Sequence, residues 1–183
     1  MQYALVAAAL GVVAGYATGG RLRHLGDRPV RGWPLLAAGV ALQGAAGIGA
    51  LGVVSLAMVL GSLGLLLAFT IANLRLVGMA VIAVGLGLNI VVIALNGAMP
   101  VRPAALVRAG IVDDVAEANT LDLGVKRRLE EPGDRLSVLG DVLPVRPLRQ
   151  VLSFGDLVLA AGTADVVAHL MHRRRARLRA GAA

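Results

Sequence analysis

The sequence predicts an all-α, polytopic membrane bundle of about five transmembrane helices, with a long folded loop before the last one. Three observations predict it. Of 183 residues, 57% are hydrophobic and only 16% charged, where a water-soluble domain keeps about a quarter charged to cover its surface. Mean hydropathy is +0.78. The apolar residues also gather in stretches close to the ~17–25 residues that cross a bilayer. This balance argues against a soluble enzyme, a disordered chain and a disulfide-stapled secreted module. The chain has no cysteine, which removes disulfides, thiolate catalysis and cysteine-held metal centres.

Taken in order, the first stretch runs from Gln2 to Thr18, the second from Trp33 to Leu51 and the third from Val53 to Ala72. The fourth runs from Leu76 to Leu95 and the fifth from Val151 to Met171. Breaks at Gly20–Gly32, near Gly52 and at Asn73–Arg75 separate the first four. The resulting organisation is a four-helix transmembrane region over 1–96 and an extracytoplasmic loop with short amphipathic helices over 97–150. A final transmembrane helix over 151–172 and a basic cytoplasmic tail over 173–183 follow. Met-Gln-Tyr carries no basic residue, whereas Arg21, Arg23, Arg28 and Arg31 follow the first apolar run. That is the reverse of a cleavable signal and reads as an anchor with its N-terminus outside.

Charge sets the expected sidedness. Ten basic residues lie in the first loop, at Arg75 and in the tail, close to helix ends. Eight lie in the long loop, matched there by eight acidic ones. Position favours the ten as the cytoplasmic set, placing the long loop outside and the C-terminus inside. Net charge +7 then reflects inner-leaflet arginines. Nucleic acid is not expected as a partner, because aromatics for stacking are only 3% of the chain. Arg173, Arg174, Arg175 and Arg177 are expected to meet anionic lipid head groups at the cytoplasmic face.

Gly11, Gly15 and Gly19 repeat every four residues on one helix face, which suits close backbone packing, within the bundle before any dimer seam. Asn89 and Asn96 share a face of the fourth helix and read as interhelical hydrogen-bonding groups. On the fifth helix Asp165, His169 and His172 form a stripe. An Asp165–His169 pair explains it better than a metal held with His24, since arginines crowd the site. No metal or cofactor is expected.

The loop opens Asn96-Gly97-Ala98-Met99-Pro100-Val101, whose Asn-Gly and proline end the fourth helix. Short helices are expected over Ala104–Ala109 and Asp113–Asn119, and Val125–Glu131 is charged and amphipathic. The run Leu136–Pro144 holds one carboxylate, Asp141, and its apolar residues are expected to pack on the outer end of the bundle. Asp156 stands at the start of the fifth helix in a Gly-Asp-hydrophobic context like that of Asp141. Two carboxylates brought together can share a proton and act as base and acid on water, the chemistry of an aspartyl protease. The plainer alternative is that Asp156 caps the helix with Ser153 while Asp141 pairs with Arg146 or Arg149.

Asn96-Gly97-Ala98-Met99-Pro100-Val101, Leu139-Gly140-Asp141-Val142-Leu143-Pro144 and Ser153-Phe154-Gly155-Asp156 together resemble an uncharacterised bacterial multi-pass membrane family, a domain of unknown function. That resemblance implies a bacterial cell-membrane protein and no activity. The same motifs are more weakly similar to lipoprotein signal peptidases. By that similarity Asp141 and Asp156 would be the catalytic pair, Asn96 a substrate-orienting residue and a lipoprotein-like chain the substrate. The sequence departs from that pattern in its Ser153-Phe154-Gly155-Asp156 element and in an extra helix. The expected function is therefore a membrane protein binding a partner or lipid at its outer loop–helix surface, with the aspartyl hydrolase as alternative. A transporter is disfavoured, since no half-helix break or internal repeat is visible.

Overall fold

The computed structural model of the chain describes residues 2–46 and 53–172. Its long helices are α1 (Gln2–Ala17), α2 (Trp33–Ala45), α3 (Val53–Ala72), α4 (Met79–Asn96) and, after the loop, a last one at Phe154–Leu170. Within the loop lie strand β1 (Met99–Val101), the short helices α5 (Pro103–Arg108) and α6 (Val115–Ala118), and strands β2 (Arg127–Leu129), β3 (Leu143–Val145) and β4 (Gln150–Leu152). Phe154–Leu170 is accordingly α7. Tight 3-10 turns at Leu22–His24, Ser137–Leu139 and Arg146–Leu148 complete the chain.

The fold is mostly helical, but all-α needs correcting: the loop carries two small β-ladders. β1 pairs with β2 in parallel, Met99 opposite Arg127 and Val101 opposite Leu129. On its other side β1 meets Asp141, whose N–H donates to Pro100 O at 2.8 Å and whose carbonyl accepts from Arg102 N at 3.0 Å. β3 and β4 form an antiparallel pair. Residues 127–129, expected within an amphipathic helix, are thus a strand. Pro132-Gly133 follows too closely for a helix to propagate, while β1 offers unpaired backbone groups at once.

Two helices, α3 and α4, are long and apolar enough to cross a membrane, and only 33% of each apolar window is buried inside the protein. A core helix of a soluble domain would bury most of that surface, so the outward apolar faces point to membrane association. The other expected spans are shorter: α1 and α2 have 16 and 13 residues, and α7 has 17. Length alone therefore carries two of the five expected crossings. The second expected stretch continues to Leu51, and its end lies outside the described residues, as do the turn near Gly52 and the tail arginines.

α7 packs between α1 and α4, and α3 links α4 to α2. Small residues make these approaches possible. A Cβ on Gly85 would stand 2.8 Å from the backbone of Gly155 and Leu159, and one on Gly162 2.8 Å from Ile82 N. Gly11 and Gly15 press on Ala164, Val167 and Met171 of and beside α7, so two of the three stripe glycines serve packing within the chain. Gly19, with φ +85, makes the turn instead.

The α1–α2 and α3–α4 connections are tied by Asn73, fully buried at the end of α3. Its Nδ2 donates to Phe69 O at 2.8 Å and Arg31 O at 2.7 Å, and its Oδ1 accepts from Arg31 N at 2.8 Å. At the opposite end, Met99 joins a core with Val59, Leu63, Leu86, Val92 and Ile93, and Leu139 packs against it. The loop has a second core of its own around Val101, Ala105, Leu106 and Val151. The expected downward packing of Leu136–Pro144 is therefore made by Leu139, whereas Leu136 and Val138 face outward.

Candidate functional site

A cavity of about 660 Å³ opens between the helices and the loop that covers them. Val59, Leu63, Leu86, Ile93 and Leu159 give it apolar walls from α3, α4 and α7. Its polar end gathers Asn89 of α4, Asp156 of α7 and, from the loop, Lys126, Arg127, Asp141 and Gln150. Gln43, Thr70 and Thr163 add further polar groups to the lining.

Asp156 is held as the sequence pattern Ser-x-x-Asp predicts. Ser153, the N-cap of α7, accepts from Asp156 N at 2.9 Å, and the Asp156 carboxylate accepts from Ser153 N at 3.3 Å. This capping box satisfies two helix-end donors at once. Asn89 extends it across the helix interface: its Nδ2 donates to Asp156 Oδ1 at 3.0 Å, and its Oδ1 accepts from the Ser153 hydroxyl at 3.0 Å. All three side chains are buried. Gly155 makes this possible, since a Cβ there would overlap the Asn89 amide.

Asp141 reaches the same cavity from the loop and is only 1% exposed. Its partner is Arg127, whose Nε stands 2.8 Å from Oδ2. The contact is close in distance but off the line of a hydrogen bond, so neither carboxylate oxygen accepts one from the described residues. Burial, opposed by Arg127 and reinforced by the charge of Asp156, pushes the Asp141 carboxyl up to about 7. Burial, with Arg127 alongside, lowers the Lys126 ammonium from its usual range. The expected pairing of Asp141 with Arg146 or Arg149 is corrected here. Arg149 Nε donates to Gly110 O at 3.0 Å instead, because the β1–Asp141 bridge turns the carboxylate toward β2 and the cavity.

Asp141 and Asp156 are thus brought to one cavity, and Asn96 is not. The Asn96 amide donates to Val92 O and to Arg135 O at 2.9 Å each, and its Oδ1 accepts from Arg135 N at 2.9 Å, fastening the loop to the end of α4. Nearby, Arg128 pairs with Asp134, and Arg102 with Glu130 at 3.1 Å. At the other end of the molecule Asp165 and His169 form the expected pair at 2.9 Å. His172 turns to Thr18 O at 3.1 Å, and His24 to Asp27 at 2.8 Å. The His169 and His172 rings stand 6.5 Å apart, but among the described residues no three such groups gather as a metal site would require. Arg173, Arg174, Arg175 and Arg177 lie outside the described residues.

Sequence reasoning missed Lys126 and Arg127 as cavity residues. They sit mid-loop among charges of both signs, and only the parallel register of β1 and β2 brings Arg127 against Asp141.

A family model described as "Family of unknown function (DUF5317)" matches residues 30–168. The match spans α2 to most of α7 and includes every polar residue of the cavity's end. It agrees with the resemblance to a family of unknown function and says nothing of signal-peptidase activity. No curated protein and no solved structure matches the chain.

Proposed function

The chain belongs to the DUF5317 family of unknown function, and from that premise we propose that it is a multi-pass membrane protein that binds a single-chain amphiphile beneath its outer loop. One observation carries the reading: a cavity of about 660 Å³ with aliphatic walls on three helices and a charged end at the loop. That size falls in the ~300–1,000 Å³ range of pockets that enclose small ligands. An alkyl chain lies along Leu63, Leu86 and Leu159, and its head meets Asp141, Arg127 and Lys126.

In this reading α1, α2 and α7 cross the membrane with α3 and α4. The N-terminus and the 97–150 loop lie outside, and Arg173, Arg174, Arg175 and Arg177 meet anionic lipids inside. The chain's lack of cysteine makes sidedness directly testable. On intact cells an impermeant maleimide should label Asp122→Cys and spare Arg23→Cys; the reverse pattern overturns the orientation. Binding is tested by extracting the detergent-purified protein and identifying retained amphiphile by mass spectrometry. Ala160→Phe, which narrows the cavity, should lose that amphiphile, while Leu157→Phe on the outer face should keep it. Equal retention in both refutes the assignment.

A second reading, an aspartyl hydrolase acting on a lipoprotein-like or ester substrate, is favoured by the shared cavity of Asp141 and Asp156 and by the raised Asp141 carboxyl. Asp141 would hold the proton while Asp156 activates water. Its demand is strict: Asp141→Asn and Asp156→Asn must each abolish turnover in folded protein. Against it, the Asp156 carboxylate is already engaged by Ser153 and Asn89.

A further inference from the structure

The geometry points to a specific head group for that amphiphile: an uncharged one that donates hydrogen bonds, of the monoacylglycerol kind, with Asp141 as its acceptor. The inference rests on the amphiphile reading and adds the chemistry of recognition. Its first support is the state of Asp141, buried, lining the cavity, and accepting no hydrogen bond from the described residues. A carboxylate offers about four lone-pair sites, and a buried one left without donors is strongly disfavoured. The ligand is the natural source of those donors. Asp156, in contrast, already has Asn89 and the Ser153 backbone fixing its oxygens.

Charge gives the second support. Two cations, Lys126 and Arg127, and two carboxylates, Asp141 and Asp156, line the polar end. An anionic head would enter against both carboxylates, and an ammonium head against both cations. In a partly desolvated site such like-charge contacts are poorly screened. A hydroxylated neutral head meets neither penalty and still supplies O–H donors to Asp141. Shape adds the third: a cavity of about 660 Å³ encloses one chain and a small polar head.

The test uses the full chain, purified in a short-chain detergent, and four probes of one chain length: 1-monopalmitoylglycerol, palmitate, hexadecylamine and methyl palmitate. Binding is read by native mass spectrometry in competition and by thermal shift. 1-Monopalmitoylglycerol should bind about tenfold more tightly than each of the others, the discrimination expected from one hydrogen bond to a buried acceptor. Asp141→Asn keeps an acceptor carbonyl and should retain most of that preference. Asp141→Leu should lower it to parity with methyl palmitate, with melting temperature checking the fold. Tighter binding of palmitate or hexadecylamine, or equal binding of all four, overturns the head-group assignment while leaving the amphiphile reading intact. Failure of all four probes to bind overturns the amphiphile reading itself.

Discussion

Raising the pH from about 4 to about 7 should weaken this protein, and Asp141 should be the reason. Its carboxyl sits at about 7 in the folded chain against 3.8 for the free group. The native state therefore holds this proton more tightly than the unfolded chain does. Below 3.8 both states carry it and nothing changes. Between 3.8 and about 7 the unfolded chain loses its proton first, so stability falls as pH rises, and above about 7 the loss is complete. Three pH units at about 1.4 kcal/mol each make this roughly 4 kcal/mol. Asp134 and Glu130 act in a separate window. Arg128 lowers the first, and Arg102, then Ser137, lower the second. Their support is present above the ordinary carboxylate range and is lost only below it. Melting curves in detergent at half-unit steps from pH 4.5 to 8 would show the decline, and Asp141→Asn should flatten it. An equal slope in the wild type and in Asp141→Asn would refute the burial argument.

The glycine contacts divide one helix into a sensitive and a tolerant position. Gly85→Ala drives a methyl into the α7 backbone and should destabilise by about 1–3 kcal/mol, whereas Gly87→Ala, with open space around it, should be neutral or stabilising by about 0.4–1 kcal/mol. Equal melting temperatures for the pair would show that α4 and α7 are not in close contact. Ser153→Ala removes the cap and the bond to Asn89 and should lower stability by about 0.5–2 kcal/mol, read by denaturant or thermal unfolding. Asn73→Ala strips buried partners from Arg31 and Phe69 and should weaken the tie between the α1–α2 connection and the end of α3 by about 1–3 kcal/mol for each group left unsatisfied. Faster amide exchange around Arg31, with α5 unaffected, is the signature to look for.

Helices were legible where apolar length and punctuation agree. The third stretch reads as Val53–Ala72, and α3 has those bounds; Gly97, in the left-handed conformation at φ 76, ends α4 where Asn-Gly announces a stop. The capping of α7 was visible as Ser153 and Asp156, three residues apart. The β-ladders were not, because three-residue strands such as Arg127–Leu129 bury too little to leave an alternating pattern. That failure explains the missed partner of Asp141. Arg127 precedes it by fourteen positions and reaches it through a register that no helical spacing encodes. The amide of Asn96 shows the opposite error: a residue recognisable by its motif, but fastened to the Arg135 backbone and not turned into the cavity.

The place of α7 between α1 and α4 bears on how the molecule is made. The ribosome delivers both neighbours of this helix long before the helix itself, with the whole 97–150 segment emerging in between. Until then Gly11 and Gly15 on one side, and Gly78 and Gly85 on the other, have nothing of α7 to pack against. A chain halted before Ser153 would keep both seams open, so the helix that closes the bundle is also the last one made.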